Sequence, residues 1–160
     1  MNLHEIWMQM ALREAERAYS QGEVPVGAVI VHEDRVIGKG YNQTEMLQDP
    51  TAHAEMLAIS AAANTLQSWR LEACSMYVTL EPCAMCAGAI VLARIGTLVY
   101  GTGDPKAGAC GTLRNIVQDP RLNHHVHVIP GILKDQTSDI LKSFFKNLRQ
   151  IKRDQRLHLN

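Results

Sequence analysis

The chain of 160 residues lacks any excess of charge: sixteen Lys and Arg balance sixteen Asp and Glu. A protein that held nucleic acid by charge alone would be strongly basic, so any such surface here has to be local. No apolar run approaches the length needed to cross a bilayer, so no membrane partner is expected. The first segment lacks the basic start, unbroken apolar stretch and small-residue cleavage site of a leader, because Glu5, Glu14 and Glu16 interrupt it. It reads as a cytosolic helix, and a cytoplasmic location is expected. Low-complexity tracts, internal repeats and Pro/Gly/Ser linkers are also missing, and the length suits one domain over 1–160. Cysteine is scarce, with four in all. In a reducing compartment, closely spaced thiols more often bind metal or do redox chemistry than form structural disulfides.

What is present is an ordinary globular mixture, 46% hydrophobic and 20% charged, which can bury a core. Leu3, Ile6, Met10, Ala11, Ala15 and Ala18 recur at helical spacing, and Gly22 ends that helix. Val24–Val31 reads as a strand, Glu33-Asp34 as a turn, and Arg35–Asn42 as the antiparallel partner. A polar loop covers Gln43 to Thr51, and Thr51 is placed to cap a buried helix over Ala52–Leu66. Ser75–Leu80 reads as a strand, and Cys83–Arg94 as a helix with Pro82 at its start. Thr97–Gly101 and Val126–Pro130 read as further strands, separated by a glycine-rich loop that runs to Gly111. A C-terminal helix covers about 134–156. Strands alternating with helices give an α/β class, and the opening hairpin makes the sheet mixed.

Two short motifs carry chemistry. Cys83 and Cys86 are three apart, so their sulfurs share one helix face near a positive N-terminus. That setting favours thiolate, the zinc-binding form. Taken alone, the pair is also consistent with a redox dithiol or with two small buried side chains. His53 opens a second helix that follows a strand and loop, and in a βαβ arrangement the starts of two such helices adjoin at one sheet edge. His53, Cys83 and Cys86 can then converge on one Zn2+ per chain. Three protein ligands leave a tetrahedral position open, the pattern of a catalytic zinc. A closed structural site needs a fourth ligand, and Cys74 and Cys110, the spare cysteines, lack ligand-like spacing. Glu55, two residues from His53, is the candidate general acid and base.

His53-x-Glu55 followed by Pro82-Cys83-x-x-Cys86 resembles the signature of the zinc-dependent nucleobase deaminases. The resemblance implies hydrolysis of an exocyclic amine on a three-layer, cytidine-deaminase-like fold, with a central mixed five-stranded sheet flanked by helices. Within that superfamily the sequence is most similar to the bacterial tRNA adenosine deaminases, which convert the wobble adenosine of an anticodon to inosine. The stretches that carry this similarity include GEVPVGAVIV, DPTAHAEMLAI, MYVTLEPCAMCAGAIVLARI and YGTGDPKAGACG. It implies a tRNA anticodon stem-loop as partner and a homodimer. Asn42 matches the residue that hydrogen-bonds the flipped adenine, and Asp104 and Lys106 fall in the loop that meets flanking nucleotides. Gly103 before Asp104, and Cys110, depart mildly from the family pattern.

The C-terminal helix gives independent support for a polyanion. Lys142, Lys146, Arg149, Arg153 and Arg156 make one basic stripe beside an apolar stripe of Leu141, Phe144, Phe145, Leu148 and Ile151. An ordinary solvated helix face would look the same, and the spacing of Phe145 points to the core before it points to a base. Two other readings stay open: a free nucleobase or nucleoside deaminase of guanine, cytosine or cytidine type, and a zinc-stabilised binding module without catalysis.

Overall fold

The computed structural model describes residues 1–159. Helix α1 (Leu3–Ser20) begins with a capping box, in which Asn2 accepts from the Glu5 amide while Glu5 reaches back to the Asn2 amide. Its buried face is Met8, Ala11, Leu12, Ala15 and Ala18, while Leu3 and Ile6 are exposed, so the apolar face lies further along than periodicity placed it. Strand β1 (Gly27–His32) starts three residues later than expected. Pro25 has no N–H to give a ladder, and the Val26 amide turns back to the Val24 carbonyl. Glu33 and Asp34 both take left-handed φ values, 50° and 58°, which suits a two-residue hairpin turn into β2 (Arg35–Tyr41).

The expected polar loop contains a short helix, α2 (Thr44–Leu47). Helix α3 (Ala54–Leu66) starts after His53, not Thr51, whose amide and hydroxyl are both held by Asp49. Strand β3 (Ser75–Leu80) lies where expected, and α4 (Ala84–Leu92) follows Cys83. Strands β4 (Thr97–Thr102) and β5 (His127–Ile129) precede the long α5 (Lys134–His158). The five strands form one mixed sheet in the order β2-β1-β3-β4-β5, antiparallel across β2, β1 and β3, and parallel across β3, β4 and β5.

Each inner strand is buried on both faces, and alternate residues serve different layers. Ala28, Ile30, Met76, Val78, Leu98 and Tyr100 face α3 and α4, whereas Val29, Val31, Tyr77 and Val99 face α1. Helix α3 lies unusually near β2 because Ala54, Ala58 and Ala62 meet glycines there. A Cβ on Gly38 would sit 2.5 Å from the Ala58 carbonyl oxygen and 2.6 Å from the Ala62 nitrogen. Glycine at this position therefore sets the height of α3 above the sheet, and with it the height of His53 and Glu55.

A candidate metal centre at two helix N-termini

His53 and Cys83 are both N-cap residues, with extended φ/ψ of −78°/152° and −74°/177°. The His53 side chain makes no bond to its own helix, and the Cys83 sulfur accepts from Cys86 on the first turn of α4, so both side chains sit at the helix ends. The topology β2-α3-β3-α4-β4 sets the starts of α3 and α4 side by side beyond the carboxyl end of β3. His53 Nδ1 lies 3.6 Å from Cys83 Sγ and 3.5 Å from Cys86 Sγ. Zinc–sulfur bonds of about 2.3 Å and zinc–nitrogen bonds of about 2.0 Å at a tetrahedral angle separate N and S by about 3.5 Å. The trio therefore fits one zinc ion, with Nδ1 as the imidazole donor. These three form the one His/Cys/Asp/Glu group of ligand geometry among the described residues. Cys74 and Cys110 are buried free thiols outside it, so no fourth protein ligand closes the cluster among the described residues.

The electrostatics of the trio also ask for a cation. A hydrogen bond from the Cys86 thiol, with a second from His53, holds Cys83 as a thiolate with a pKa of about 3. Cys86 goes the opposite way, pushed far up by the Cys83 thiolate, by burial and by Glu55. The hydrogen bond with Cys83 raises His53 against the cost of burial. Glu55 sits on the first turn of α3 and is 4% exposed, and burial drives its carboxyl above the usual range. No Lys or Arg pairs with it among the described residues. A cation between the two sulfurs would favour the ionised form of both.

A cavity of about 310 Å3 opens from this trio, and His53, Glu55, Cys83, Asn42, Glu81 and Asp104 are among its walls. Asn42 donates to the Val24 carbonyl and accepts from the Thr44 amide. One amide hydrogen and one carbonyl lone pair remain for a ligand. A second cavity of about 710 Å3 shares Val24, Leu80 and Asp104 with the first and runs beneath α5, past Lys106, Lys142, Phe145 and Arg149. Asp104 Oδ1 accepts from the Lys106 and Ala107 amides, so its side chain shapes the turn on which Lys106 is exposed.

Against that geometry, the MafB19-like deaminase model matches residues 2–149 of this chain. The chain belongs to the MafB19-like deaminase family. It is 45% identical over 160 residues to a tRNA-specific adenosine deaminase of Bacillus subtilis (strain 168), covering all of this chain and 99% of the relative. A tRNA-specific adenosine deaminase of Aquifex aeolicus (strain VF5) is 49% identical over 145 residues, 91% of this chain and 95% of the relative. A solved structure from work on A-to-I editing by tRNA:A34 deaminases at the wobble position superposes with a TM-score of 0.82. It is 43% identical, and the match covers 85% of this chain and 99% of that one. A guanine deaminase from Nitrosomonas europaea superposes at 0.73 with 24% identity, covering 88% and 83%. That likeness shows the shared fold.

Several parts of this deaminase's site escaped the reading of the sequence. Phe144, 9% exposed, is the core aromatic of α5 and packs edge-on against Tyr19, while Phe145, 40% exposed, lines the groove. The apolar stripe ends at Leu148, and Ile151 is 53% exposed, so the last turns of α5 carry little but charge. There Lys152 joins Arg149, Arg153 and Arg156 in one basic patch. Two buried carboxylates were also missed. Glu23 accepts from the Glu45 and Met46 amides at 2.8 and 3.1 Å and caps α2, beside Asn42. Glu81 holds the loop after β4. Burial opposes its charge, but hydrogen bonds from Thr112, Asp104 and Cys110 outweigh that and keep it below the usual glutamate range. An acidic residue directly after an apolar strand was the available signal. His124 and His125 have structural partners, the carbonyls of Ile95 and Asp119.

Proposed function

We infer that this chain is a tRNA-specific adenosine deaminase that hydrolyses the wobble adenosine of an anticodon loop to inosine. The observation that carries the RNA substrate is the shared wall at Asp104. A base entering the smaller cavity leaves its neighbours over a groove lined by Lys106, Lys142, Arg149 and Phe145. Cations there suit phosphates, and an exposed aromatic edge suits a splayed base. Full-length similarity to enzymes named for this activity supports the same substrate.

In this reading His53, Cys83 and Cys86 hold one zinc ion, which when bound supplies the charge that makes water nucleophilic at neutral pH. Glu55 takes the proton that this water releases and places it on the ring nitrogen beside the amine-bearing carbon. The oxygen bonds to that carbon, and Glu55 then moves the oxygen's remaining proton to the amine, which leaves as ammonia as the C–N bond breaks. Burial helps Glu55 hold a proton between these steps, because the charged form is the costlier one away from water. Asn42 offers its free donor and acceptor to the edge of the base, and Asp104 and Lys106 meet the flanking nucleotides. One deaminase domain over 1–160, a cytoplasmic location and a homodimer complete the proposal; no described helix is long and apolar enough to cross a membrane.

The test is single-turnover conversion of adenosine to inosine in an anticodon stem-loop, run beside free adenosine, cytidine and guanine. Inosine formed in the RNA alone is the expected outcome. Turnover of a free base or nucleoside with the RNA untouched would overturn the tRNA assignment.

A further inference from the structure

We propose that Glu81 is a positioning residue, whose buried carboxylate holds the loop from Gly103 to Thr112 so that Asp104 walls both the base cavity and the groove. It deepens the tRNA reading only through its substrate readout; the loop itself can be tested without substrate.

Glu81 is 1% exposed and has no cationic partner among the described residues. Its Oε1 accepts from the Asp104 amide at 3.0 Å and from the Thr112 hydroxyl. Its Oε2 accepts from the amides of Cys110 and Thr112, each at 3.0 Å. One side chain thus gathers the beginning and end of a loop that is otherwise tied by Asp104 to its own turn, and by the Ala109 N–H and the Cys110 thiol to the Pro82 carbonyl. The fit is close. A Cβ on Gly108 would run into the carboxylate and would lie 2.6 Å from the Asp104 carbonyl oxygen. Glu81 also directly precedes Pro82 and Cys83, so the strand that delivers a ligand to the metal trio delivers the anchor of the loop facing it.

Every partner of the carboxylate is a donor, and that makes the requirement specific. A glutamine has one acceptor oxygen and one donor nitrogen. Facing the Cys110 and Thr112 amides, the nitrogen would lose two bonds. Facing Oε1's partners, it would lose only the Asp104 amide, since the Thr112 hydroxyl can turn and accept. Glu81→Gln should therefore settle the second way and release Asp104 selectively. The Asp104 side chain holds the Lys106 and Ala107 amides at 2.9 and 3.2 Å, so the release passes directly to the turn that presents Lys106.

The experiment uses zinc-loaded full chains of the wild type, Glu81→Gln and Thr112→Val. Amide hydrogen exchange is read at Asp104, Cys110 and Thr112, together with zinc content and single-turnover kinetics on the anticodon stem-loop. Glu81→Gln is expected to keep its zinc, to exchange the Asp104 amide about 10-fold faster, and to raise KM about 10-fold. Unchanged exchange at Asp104, or a KM equal to that of the wild type, would overturn the proposal. So would loss of zinc or faster exchange throughout the sheet, because Glu81 would then support the whole fold. Should Glu81→Gln not fold, Thr112→Val removes a single donor. It is expected to speed exchange at Thr112 and Asp104 a few-fold, and wild-type exchange there would count against the anchor. If wild type leaves the stem-loop untouched, the tRNA reading fails, while the exchange measurements still decide the role of Glu81.

Discussion

The metal cradle and the C-terminal helix answer opposite physical demands. At the cradle, two helix ends meet on a sheet buried on both faces, and Gly38 lets α3 approach β2 more closely than a Cβ would allow. The ligand atoms of His53, Cys83 and Cys86 lie within 4.8 Å of one another, and Cys86 and Glu55 are buried. On α5 the body holds Thr137, Phe144 and Leu148, and beyond Leu148 every described side chain is exposed. Small distances and low dielectric serve bond making, where misplacement of even 1 Å is costly. Long exposed cations serve a flexible polyanion, where charge matters more than fixed geometry. Damage to the cradle should therefore cost turnover, and damage to α5 should cost affinity.

The largest effect is expected at the ligands. Cys86→Ser, or removal of zinc by a chelator, should abolish inosine formation and lower the melting temperature, read by metal analysis and calorimetry. Retention of turnover without metal would break the comparison at its root. Next comes Glu55→Gln, which should bind zinc at wild-type stoichiometry but lose roughly 10²–10⁴-fold in the single-turnover rate. A variant that kept its rate would leave the proton transfers without a carrier.

Smaller and different in kind is the effect of Lys142→Gln or Arg149→Gln. Each should raise KM a few-fold and reduce the slope of log affinity against log salt by about one, leaving the saturating rate alone. A fall in the saturating rate with KM unchanged would mean that α5 shapes the cradle after all. The smallest effect lies outside both regions. Arg121, through its side chain and backbone, hydrogen-bonds Asp119 and holds that carboxyl at about 2, below its usual 3.8. A lowered acid contributes stability above its unfolded pKa, and that contribution fades as pH falls through the folded one. Asp119→Asn should therefore shift the melting temperature slightly and equally from pH 5 to 8, with kcat and KM unmoved. A pH-dependent difference within that window would point to another titrating partner.

The elements were largely legible in the sequence because burial imposes periodicity, and β3 lies over the residues expected of it. Errors fell where local chemistry competes with periodicity. Pro25 delays β1, a short helix occupies the polar stretch before α3, and His53 takes the cap position that Thr51 was expected to fill. Among the site residues, those carried by a short motif were named in advance, and the structure brings His53, Cys83 and Cys86 together. Glu23 and Glu81 were not, since each acts on amides that lie more than twenty residues away along the chain. Phe144 and Phe145 are adjacent, so helical spacing alone could not say which one faces the core.

The sequence by itself determined the donor set and the alternation of strands with helices, because ligand chemistry and the periods of secondary structure are written locally. Only the tertiary structure decided that Nδ1 of His53 is the nitrogen facing the two thiols, that Asp104 walls two cavities at once, and that Glu81 ties a loop to the strand leading into the metal trio. Those facts depend on the height of one helix above a sheet and on which backbone amides come within 3 Å of a carboxylate. Such distances are set by packing between elements far apart in the chain.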